Sequence, residues 1–348
     1  MSESEPHYLV TGATGFLGRH VIGAIRAKHP NARLVTLVRE PAHPSIATLE
    51  YLKGVELITG SPVEAGEWLN DARLSELDGI FHLAAEVKHT RDDVGSMMRF
   101  NVDATTTMVR LAAEKKCRIV FVSTSGTVAC SPNADYSPDE SAPYCEGVVG
   151  SWPYYVSKIR AERESVELAD QLGVELVIIR PPVLLGPGDH RFRSITNVMR
   201  VLDGKLPFAF TGGINFADIR DCAQAIVAAM TRVSPRAIYH LPGTSSSLDG
   251  FFRRVARVAG IDASWRVVPA GIVLVLARIN HLAGRRVHMI PDPVVVEMGS
   301  HHWGLSSKFA SVDLFYSPRD PDETIADTVE WIRAAKGAPA RRQRARAS

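Results

Sequence analysis

A glycine-rich segment near the start of the 348-residue chain constrains its fold more than any other feature. The segment Thr11-Gly12-Ala13-Thr14-Gly15-Phe16-Leu17-Gly18 overlaps the end of a short apolar run, Tyr8 to Thr11, and the start of a stretch of helical length, Phe16 to Lys28. Glycines at a strand-to-helix junction permit a tight turn and let backbone amides approach a pyrophosphate, whose charge the helix N-terminus also favours. The context predicts a dinucleotide site, with an ordinary strand-to-helix turn as the alternative.

The first half of the sequence alternates apolar strand-like runs with helix-like runs. The strand-like runs carry little internal polarity, which is typical of a parallel sheet covered on both faces. They are Tyr8 to Thr11, Leu34 to Val38, Val55 to Ile58, Ile80 to Ala84, Ile119 to Ser123 and Leu176 to Arg180, and the helical runs are Phe16 to Lys28, Val94 to Lys115 and Tyr154 to Gln171. This pattern predicts an α/β fold with a doubly wound parallel sheet, the Rossmann arrangement.

The alternation loosens after Arg180, where prolines and glycines interrupt the chain. We predict a Rossmann domain from residues 1–185 and 214–241, in which Asp221 to Thr231 forms a helix with Asp221 as its N-cap. Ala237 to Leu241 would add another strand. Residues 186–213 and 242–336 are predicted to form a smaller, mostly helical substrate domain, and residues 337–348 a basic flexible tail.

The composition argues against several classes of protein. Hydrophobic residues make up 45% and charged residues 22%, which is typical of a globular protein, and the net charge of +2 gives no reason to expect nucleic acid as a partner. The apolar stretch Ala270 to Ala277 is too short to span a bilayer. Met1 to Pro6 is short and acidic, unlike an export signal, and the four cysteines are too scattered for a metal-ligand motif. We therefore expect a cytoplasmic protein without a metal.

The segment Tyr154-Tyr155-Val156-Ser157-Lys158 predicts the chemical centre. Tyr154 and Lys158 are four residues apart and so share one face of a helix. A tyrosine hydroxyl, with a pKa of about 10, is a poor proton donor or acceptor at neutral pH unless its anion is stabilised. The Lys158 ammonium can lower the pKa of Tyr154 and can also bind ribose hydroxyls. Tyr155 is the rival, but its own neighbour four residues on is Ile159, so Tyr154 is predicted to be the general acid or base.

A cluster of hydroxyl side chains ends the fifth predicted strand, at Ser123 to Thr127. Ligands bind at the carboxyl ends of strands in such sheets, so one of these hydroxyls can bind a substrate oxygen. We predict that Ser125 has this role, with Thr124 as the alternative. A cluster that only forms a turn is the other possibility.

Cofactor preference depends on the end of the second predicted strand. An arginine there accommodates a 2′-phosphate, whereas an acidic residue accepts from the ribose 2′-hydroxyl. Arg39 directly follows the strand, which favours NADP; NAD is possible if Glu40 serves the ribose. After the fourth strand, His82-Leu83-Ala84-Ala85 ends in small residues that let the chain pass close to a cofactor. His82 itself is expected to be a packed or hydrogen-bonded strand residue.

At these residues the chain resembles the extended short-chain dehydrogenase/reductase superfamily. The resemblance spans roughly residues 7 to 335 and includes Asn101-Val102-Asp103-Ala104-Thr105, which is similar to the family's Asn-Val-x-Gly-Thr. It implies hydride transfer at the nicotinamide, with Tyr154 as acid or base, Lys158 as its tuner, Ser125 polarising the substrate carbonyl and Asn101 supporting a proton relay. A helix-mediated homodimer is also implied. The implied cofactor-binding residues are Gly12, Thr14, Gly15, Phe16, Leu17, Gly18, Arg39, Leu83, Ala84, Ala85, Tyr154, Lys158, Pro181 and Val183.

One departure separates the chain from the sugar-nucleotide members of that superfamily. Epimerases and dehydratases tend to have Asn where Val183 stands, and an apolar residue leaves the substrate's polar group without that ligand. The segment Arg180 to Pro187 is more similar to dihydroflavonol reductases, cinnamoyl-CoA reductases and 3β-hydroxysteroid dehydrogenases.

Two further departures stand elsewhere in the chain. Dehydratases also carry an acidic pair beside the serine, which Ser125-Gly126-Thr127 lacks. Gly60-Ser61 stands where the family often has Gly-Asp, whose aspartate reaches the adenine.

The sequence thus predicts an NADP(H)-dependent oxidoreductase that acts on a ketone, an aldehyde or a secondary alcohol of a mainly apolar small molecule. The alternatives are a nucleotide-sugar epimerase with tightly bound NAD and a non-catalytic dinucleotide-sensing regulatory protein, which would need no acid–base pair. The stretch Ala129 to Pro153, with Tyr136, Tyr144 and Trp152, is expected to line the pocket or to form a plain surface excursion.

Overall fold

A seven-stranded parallel sheet forms the centre of the computed structural model, which describes residues 5–39, 49–64, 66–89, 94–284, 287 and 290–337. Its strand order, β10-β6-β5-β4-β1-β2-β3, steps outward in both directions from β1, as a doubly wound fold requires. The strands of the chain are β1 (His7–Thr11), β2 (Arg33–Val38), β3 (Val55–Thr59), β4 (Gly79–His82), β5 (Arg118–Val122), β6 (Leu176–Arg180), β7 (Val183–Leu185), β8 (Phe208–Phe210), β9 (Gly213–Asp218), β10 (Ile238–His240), β11 (Thr244–Ser247) and β12 (Arg266–Val268).

Helices cover both faces of this sheet, which explains why its strands are apolar on both sides. On one face α1 and α6 pack together, and on the other α2 packs against α4. The helices are α1 (Phe16–Lys28), α2 (Val94–Lys115), α3 (Glu146–Val149), α4 (Pro153–Leu172), α5 (Thr196–Leu202), α6 (Ile219–Thr231), α7 (Leu248–Ala259), α8 (Ala270–Leu282), α9 (Pro293–Gly299), α10 (Ala310–Asp313) and α11 (Pro321–Ala335), with short 3-10 helices at Glu50–Leu52, Glu67–Asn70, Ala72–Leu74 and Ser125–Thr127. The predicted doubly wound α/β fold is confirmed.

The C-terminus of α4 and the N-terminus of α6 show how local sequence determines where a helix ends or begins. Gly173 terminates α4 in the left-handed conformation, with φ of +69°, as a C-terminal glycine should. The N-cap of α6 was predicted at Asp221, and that prediction is wrong. Asp218 caps the helix instead, because its carboxylate accepts a hydrogen bond from the Arg220 amide at 2.8 Å. Asp221 lies within the first turn, where its carboxylate binds the Arg319 guanidinium.

A second hydrophobic core lies outside the large sheet. It gathers side chains from β7, β9, α5, α7 and α11, among them Leu185, Val198, Phe216, Phe251 and Ile325. Here β7, β9 and β11 form a three-stranded sheet, and β8 pairs with β12. Leu314 and Tyr316, although far along the chain, pack in the first core. The domain boundaries at 185/186, 213/214 and 241/242 stay a proposal; two cores exist, but Leu185 and Phe216 of the proposed Rossmann domain pack in the second one.

Within the described ranges, no helix combines the length and the apolar character needed to cross a membrane. The predicted basic tail, apart from its first residue, and Glu40 lie outside those ranges.

Candidate active site

The glycine-rich turn packs directly against the chain that leaves β4. Gly12 has a φ of +73°, and a Cβ atom at this position would lie 2.8 Å from the amide nitrogen of Ala84. A Cβ atom on Gly18 would lie 2.7 Å from the Cα of Ala13, and one on Gly15 would lie 3.1 Å from the Gly12 carbonyl oxygen. Glycine is required where backbone approaches this closely. The turn therefore forms a narrow cradle lined by main chain, in which Thr14, Phe16 and Leu17 are partly exposed.

Thr11 and His82 fix the other side of this cradle. The Thr11 hydroxyl accepts hydrogen bonds from the amides of Leu83 and Ala84, at 3.2 and 3.3 Å, and bonds to Nδ1 of His82 at 2.8 Å. The other ring nitrogen of His82 contacts the Thr105 hydroxyl at 3.2 Å. Burial lowers the pKa of His82 to about 3, so the ring is neutral. The prediction of a hydrogen-bonded strand residue is confirmed.

Helix α4 presents Tyr154 and Lys158 to the end of β5. The side chain of Tyr154 faces that of Thr124, which acts on its pKa. Lys158 is buried, and its Nζ donates a hydrogen bond to the Val122 carbonyl oxygen at 2.9 Å. The same ammonium lies 4.5 Å from the centre of the Phe121 ring. Both side chains thus reach the carboxyl end of β5, Tyr154 at Thr124 and Lys158 at Val122.

Ser125 is buried in a turn, and its contact with the substrate stays a prediction. It begins the 3-10 turn Ser125–Thr127, where its amide donates to the Pro181 carbonyl oxygen at 2.8 Å, and it is only 4% exposed. Thr124 caps this turn and is partly exposed. The hydroxyl that meets Tyr154 therefore belongs to Thr124, which was the alternative to Ser125.

The electrostatics of the tyrosine–lysine pair also differ from expectation. Desolvation raises the pKa of Tyr154 to about 12, and the Thr124 hydroxyl opposes this rise. Desolvation lowers the pKa of Lys158 to about 8, and the carboxylate of Glu162 opposes that fall. The expected lowering of the Tyr154 pKa by Lys158 is not found, because the ammonium is bonded to Val122 on β5. Tyr154 is consequently protonated at neutral pH, which is the state of a proton donor.

Tyr155, the rival tyrosine, belongs to an aromatic wall beside the pair. Its ring centre lies 6.0 Å from that of Trp152 and 5.2 Å from that of Trp303. Trp152 also meets the ring of His301 at 5.3 Å. Trp152 ends the stretch 129–153, and Ser131 in that stretch forms a β-bridge with His302. The stretch therefore packs against residues 301–303, and the lining of a pocket by Tyr136 and Tyr144 stays a prediction.

Asn101 is a buried bridge between elements. Its Oδ1 accepts from the Glu86 amide at 2.8 Å, and its Nδ2 donates to the Glu86 carbonyl oxygen at 3.0 Å and to the Ser157 hydroxyl at 2.8 Å. Both N–H groups of the amide are therefore bonded to protein, and the side chain ties α2 to α4 and to the chain after β4. A role in a proton relay stays a prediction.

The remaining predicted cofactor residues lie along the carboxyl edge of the sheet. Arg39 is exposed directly after β2, and Ala85 is partly exposed after β4. Val183 begins β7 with 41% of its surface exposed, whereas Pro181 is buried. Sequence reasoning missed His89, whose ring meets that of Tyr154 edge-on at 6.0 Å. The one available signal was its position on the chain that follows β4.

The model of the NAD dependent epimerase/dehydratase family matches residues 8–241. The chain belongs to this family. Among its relatives, cinnamoyl-CoA reductase 1 of Arabidopsis thaliana is 28% identical over 244 residues, which cover 67% of this chain and 69% of that protein. Dihydroflavonol 4-reductase of Hordeum vulgare is 27% identical over 195 residues, covering 51% and 53%. The predicted membership of the extended short-chain dehydrogenase/reductase superfamily is confirmed.

Solved structures extend the similarity over nearly the whole chain. The protein gox2253 superposes with a TM-score of 0.80 at 25% identity, over 96% of this chain and all of that one. PA4631, described as a nucleoside-diphosphate-sugar epimerase from Pseudomonas aeruginosa, has a TM-score of 0.74 at 22% identity, over 97% of this chain and all of its own. The similarity to PA4631, at this level of identity, shows only a shared fold. As a member of this family, the protein is an NAD(P)-dependent oxidoreductase, as predicted.

Proposed function

We propose that the protein is an NADP(H)-dependent reductase of a ketone or aldehyde on a mainly apolar substrate, with oxidation of the corresponding alcohol as its reverse reaction. The observation that carries this proposal is that the Thr124 hydroxyl faces Tyr154, closely enough to oppose the rise in the Tyr154 pKa. The pair combines a partly exposed hydroxyl with a protonated tyrosine, and the buried Lys158 lies one helical turn further along α4. The carbonyl oxygen of a substrate has two hydroxyl partners at this place.

The residues present fit a dinucleotide. The main-chain cradle at Gly12 and Gly18 leaves no space for a Cβ atom, which suits a bound pyrophosphate. Lys158 would hold the nicotinamide ribose, and the exposed Arg39 would hold a 2′-phosphate. Bound there, the cofactor would supply the hydride. These placements support NADP over NAD.

Tyr154 and Thr124 divide the remaining chemistry. We assign to Thr124 the substrate contact predicted for Ser125, because its hydroxyl is accessible and lies at Tyr154. Thr124 would hold the carbonyl oxygen while Tyr154 donates its proton to the developing alkoxide. The tyrosinate left behind is a partly buried anion, and the Lys158 ammonium one helical turn away would stabilise it on leaving the Val122 carbonyl oxygen.

Two observations favour an apolar substrate over a sugar nucleotide. Val183 presents an exposed apolar side chain at the carboxyl edge of the sheet, and the aromatic wall of Trp152, Tyr155 and Trp303 stands beside Tyr154. The relatives named as reductases support reduction as the reaction. A nucleotide-sugar epimerase with bound NAD remains the second candidate, and the solved structures with epimerase names share its fold.

We also propose that the protein is cytoplasmic and forms a homodimer. A cytoplasmic location agrees with four cysteines that are all free. A homodimer through helices of the Rossmann domain follows from the family resemblance.

A panel of ketones, aldehydes and nucleotide sugars, assayed with NADPH and NADH separately, tests the proposed function. We expect net oxidation of NADPH with carbonyl compounds. Arg39→Ser should raise the KM for NADPH about tenfold or more and leave the KM for NADH unchanged, because a charge-assisted hydrogen bond is worth roughly 1.5–3 kcal/mol. Conversion of UDP- or GDP-sugars without net cofactor turnover would establish the epimerase instead.

A further inference from the structure

Exposed apolar side chains concentrate in one part of the molecule. Fifteen large apolar residues are exposed in the described part of the chain, and seven of them lie between Val267 and Val287. Five of the seven are on α8, with exposed fractions from 47% to 85%. These five, which we call the outer face of α8, are Ile272, Val275, Leu276, Ile279 and Leu282.

The outer face is a single stripe along the helix. Each of its residues has another of the set three or four positions away, so the five project from one side of α8. The opposite side, with Val273 and Ala277, is buried against β8 and against Val296 of α9. A helix that is apolar on both sides while packed on one side alone marks an interaction surface.

The charge of this region indicates what the surface contacts. From Arg266 to Arg286 the sequence contains four arginines and no Asp or Glu. Arg278 is 60% exposed although it pairs with Glu297 at 3.1 Å, and His281, 53% exposed, lies 4.0 Å from Asp292. Of the four arginines, Arg266 and Arg278 lie in the described part of the chain, and Arg266 is exposed on β12. By sequence, the stretch that carries the apolar stripe is thus positively charged.

We propose that α8 docks on the surface of an anionic lipid bilayer, with its outer face among the acyl chains and with Arg266 and Arg278 at the head groups. A helix of 13 residues is too short to cross the bilayer and lies in its surface. A second copy of the chain fits this face poorly, because two stretches with the same excess positive charge would meet.

The position of α8 links this surface to the candidate active site. Glu297 of α9 binds Arg278 on one side and accepts a hydrogen bond from the Trp152 indole at 3.5 Å on the other. Val294 and Met298 of α9 pack in the same cluster as Trp152 and Tyr155. A docked bilayer would therefore lie one helix away from the aromatic wall. Docking itself does not depend on the proposed reaction.

Co-sedimentation with vesicles of equal parts phosphatidylcholine and phosphatidylglycerol tests the proposal. The variant Ile279→Ser/Leu282→Ser should reduce the fraction bound about tenfold or more. Serine gains far less free energy than isoleucine or leucine on transfer from water into the acyl chains. The matched control, Val312→Ser/Phe315→Ser, removes two apolar side chains that are 71% and 85% exposed elsewhere and should bind like the wild type. Pure phosphatidylcholine vesicles or high salt should weaken wild-type binding.

Equal binding by the two double variants, or no binding of the wild type to either kind of vesicle, would overturn the proposal. Circular dichroism and thermal unfolding establish that both variants are folded. Sedimentation velocity provides the second readout. If Ile279→Ser/Leu282→Ser converts a dimer into a monomer and vesicles bind no protein, the outer face of α8 is an interface between copies and the proposal is wrong.

Discussion

The side chains of Thr124 and Tyr154 face each other across the gap between β5 and α4, closely enough for the Thr124 hydroxyl to oppose the rise in the Tyr154 pKa. Thr124 is partly exposed, whereas Ser123 and Ser125 on either side of it are 5% and 4% exposed. Of these three hydroxyls, the accessible one is therefore the one that meets the tyrosine. In the proposed reaction, this arrangement would give a carbonyl oxygen two hydroxyl partners, Thr124 to hold it and Tyr154 to protonate it.

Substitution at Thr124 should impair the reaction far more than substitution at Ser125. Thr124→Val keeps the shape of the side chain and removes its hydroxyl, and we expect kcat/KM to fall about 100-fold, as when an oxyanion donor is lost. Ser125→Ala is the matched control and should change kcat/KM much less, because Ser125 is buried. Steady-state kinetics of both variants provide the comparison. A larger loss for Ser125→Ala would return the substrate contact to Ser125.

The pH dependence should reflect Lys158 rather than Tyr154. Desolvation lowers the pKa of Lys158 to about 8 and raises that of Tyr154 to about 12. We therefore expect kcat/KM for reduction to decline as the pH rises through about 8, because the ammonium loses its proton while the tyrosine keeps its own. A pH–rate profile that stays flat from neutral pH to about 10 would contradict this assignment.

The lowered pKa of Lys158 should also make the stability of the protein depend on pH. Because the pKa of Lys158 is lower in the folded protein than in the unfolded chain, the unfolded chain binds the proton more tightly above pH 8. The free energy of unfolding should gain a favourable contribution as the pH climbs from about 8 towards the ordinary lysine value. Lys158→Met should lack this contribution when the two proteins are unfolded with denaturant across that range.

Two glycines of α1 offer a matched pair of alanine substitutions. A Cβ atom on Gly18 would meet Ala13 at 2.7 Å, whereas one on Gly23 would meet nothing within 4 Å. Gly18→Ala should weaken NADPH binding, because the cradle must open to admit the methyl group. Gly23→Ala should leave NADPH binding unchanged and stabilise the helix by roughly 0.5–1 kcal/mol. Titration followed by NADPH fluorescence tests this, and equal affinities for both variants would contradict the close approach.

The buried ion pair between Glu162 and Arg180 should be costly to break and easier to replace. The two side chains are 0% and 3% exposed, and Oε2 lies 2.5 Å from the nearer guanidinium nitrogen. Glu162→Gln should lower the free energy of unfolding by about 3–5 kcal/mol, because it leaves a buried guanidinium without its counter-ion. Glu162→Leu/Arg180→Met removes both charges and should recover most of that loss. Urea unfolding distinguishes the two, and a double variant no more stable than the single one would contradict this account.

Much of the architecture follows from local pattern. The ends of α1, α2 and β6 coincide with the predicted ones because apolar periodicity and flanking breakers determine them. β8 and β12 contain only three residues each, too few for a period to be visible, and the sequence did not predict them.

The sequence predicts some relationships in the candidate site and not others. The pairing of Tyr154 with Lys158 follows from helix geometry, but the choice between Thr124 and Ser125 depends on where a 3-10 turn begins. The pKa of Tyr154 depends on its surroundings in three dimensions. The contacts of Trp152 with His301 and Trp303 likewise depend on the tertiary fold. These residues come from segments some 150 positions apart, and local pattern carries no information about such contacts.

Turnover of NADPH by Tyr154→Phe tests the central claim most directly. With a carbonyl compound that the wild type reduces, we expect the variant to bind NADPH with unchanged affinity and to lose about 10²- to 10⁴-fold in kcat, because the proton donor is gone. Alcohol formed by the wild type should match the NADPH consumed. Unchanged turnover by Tyr154→Phe would show that another group protonates the substrate and would contradict the assignment of Tyr154 as the catalytic acid.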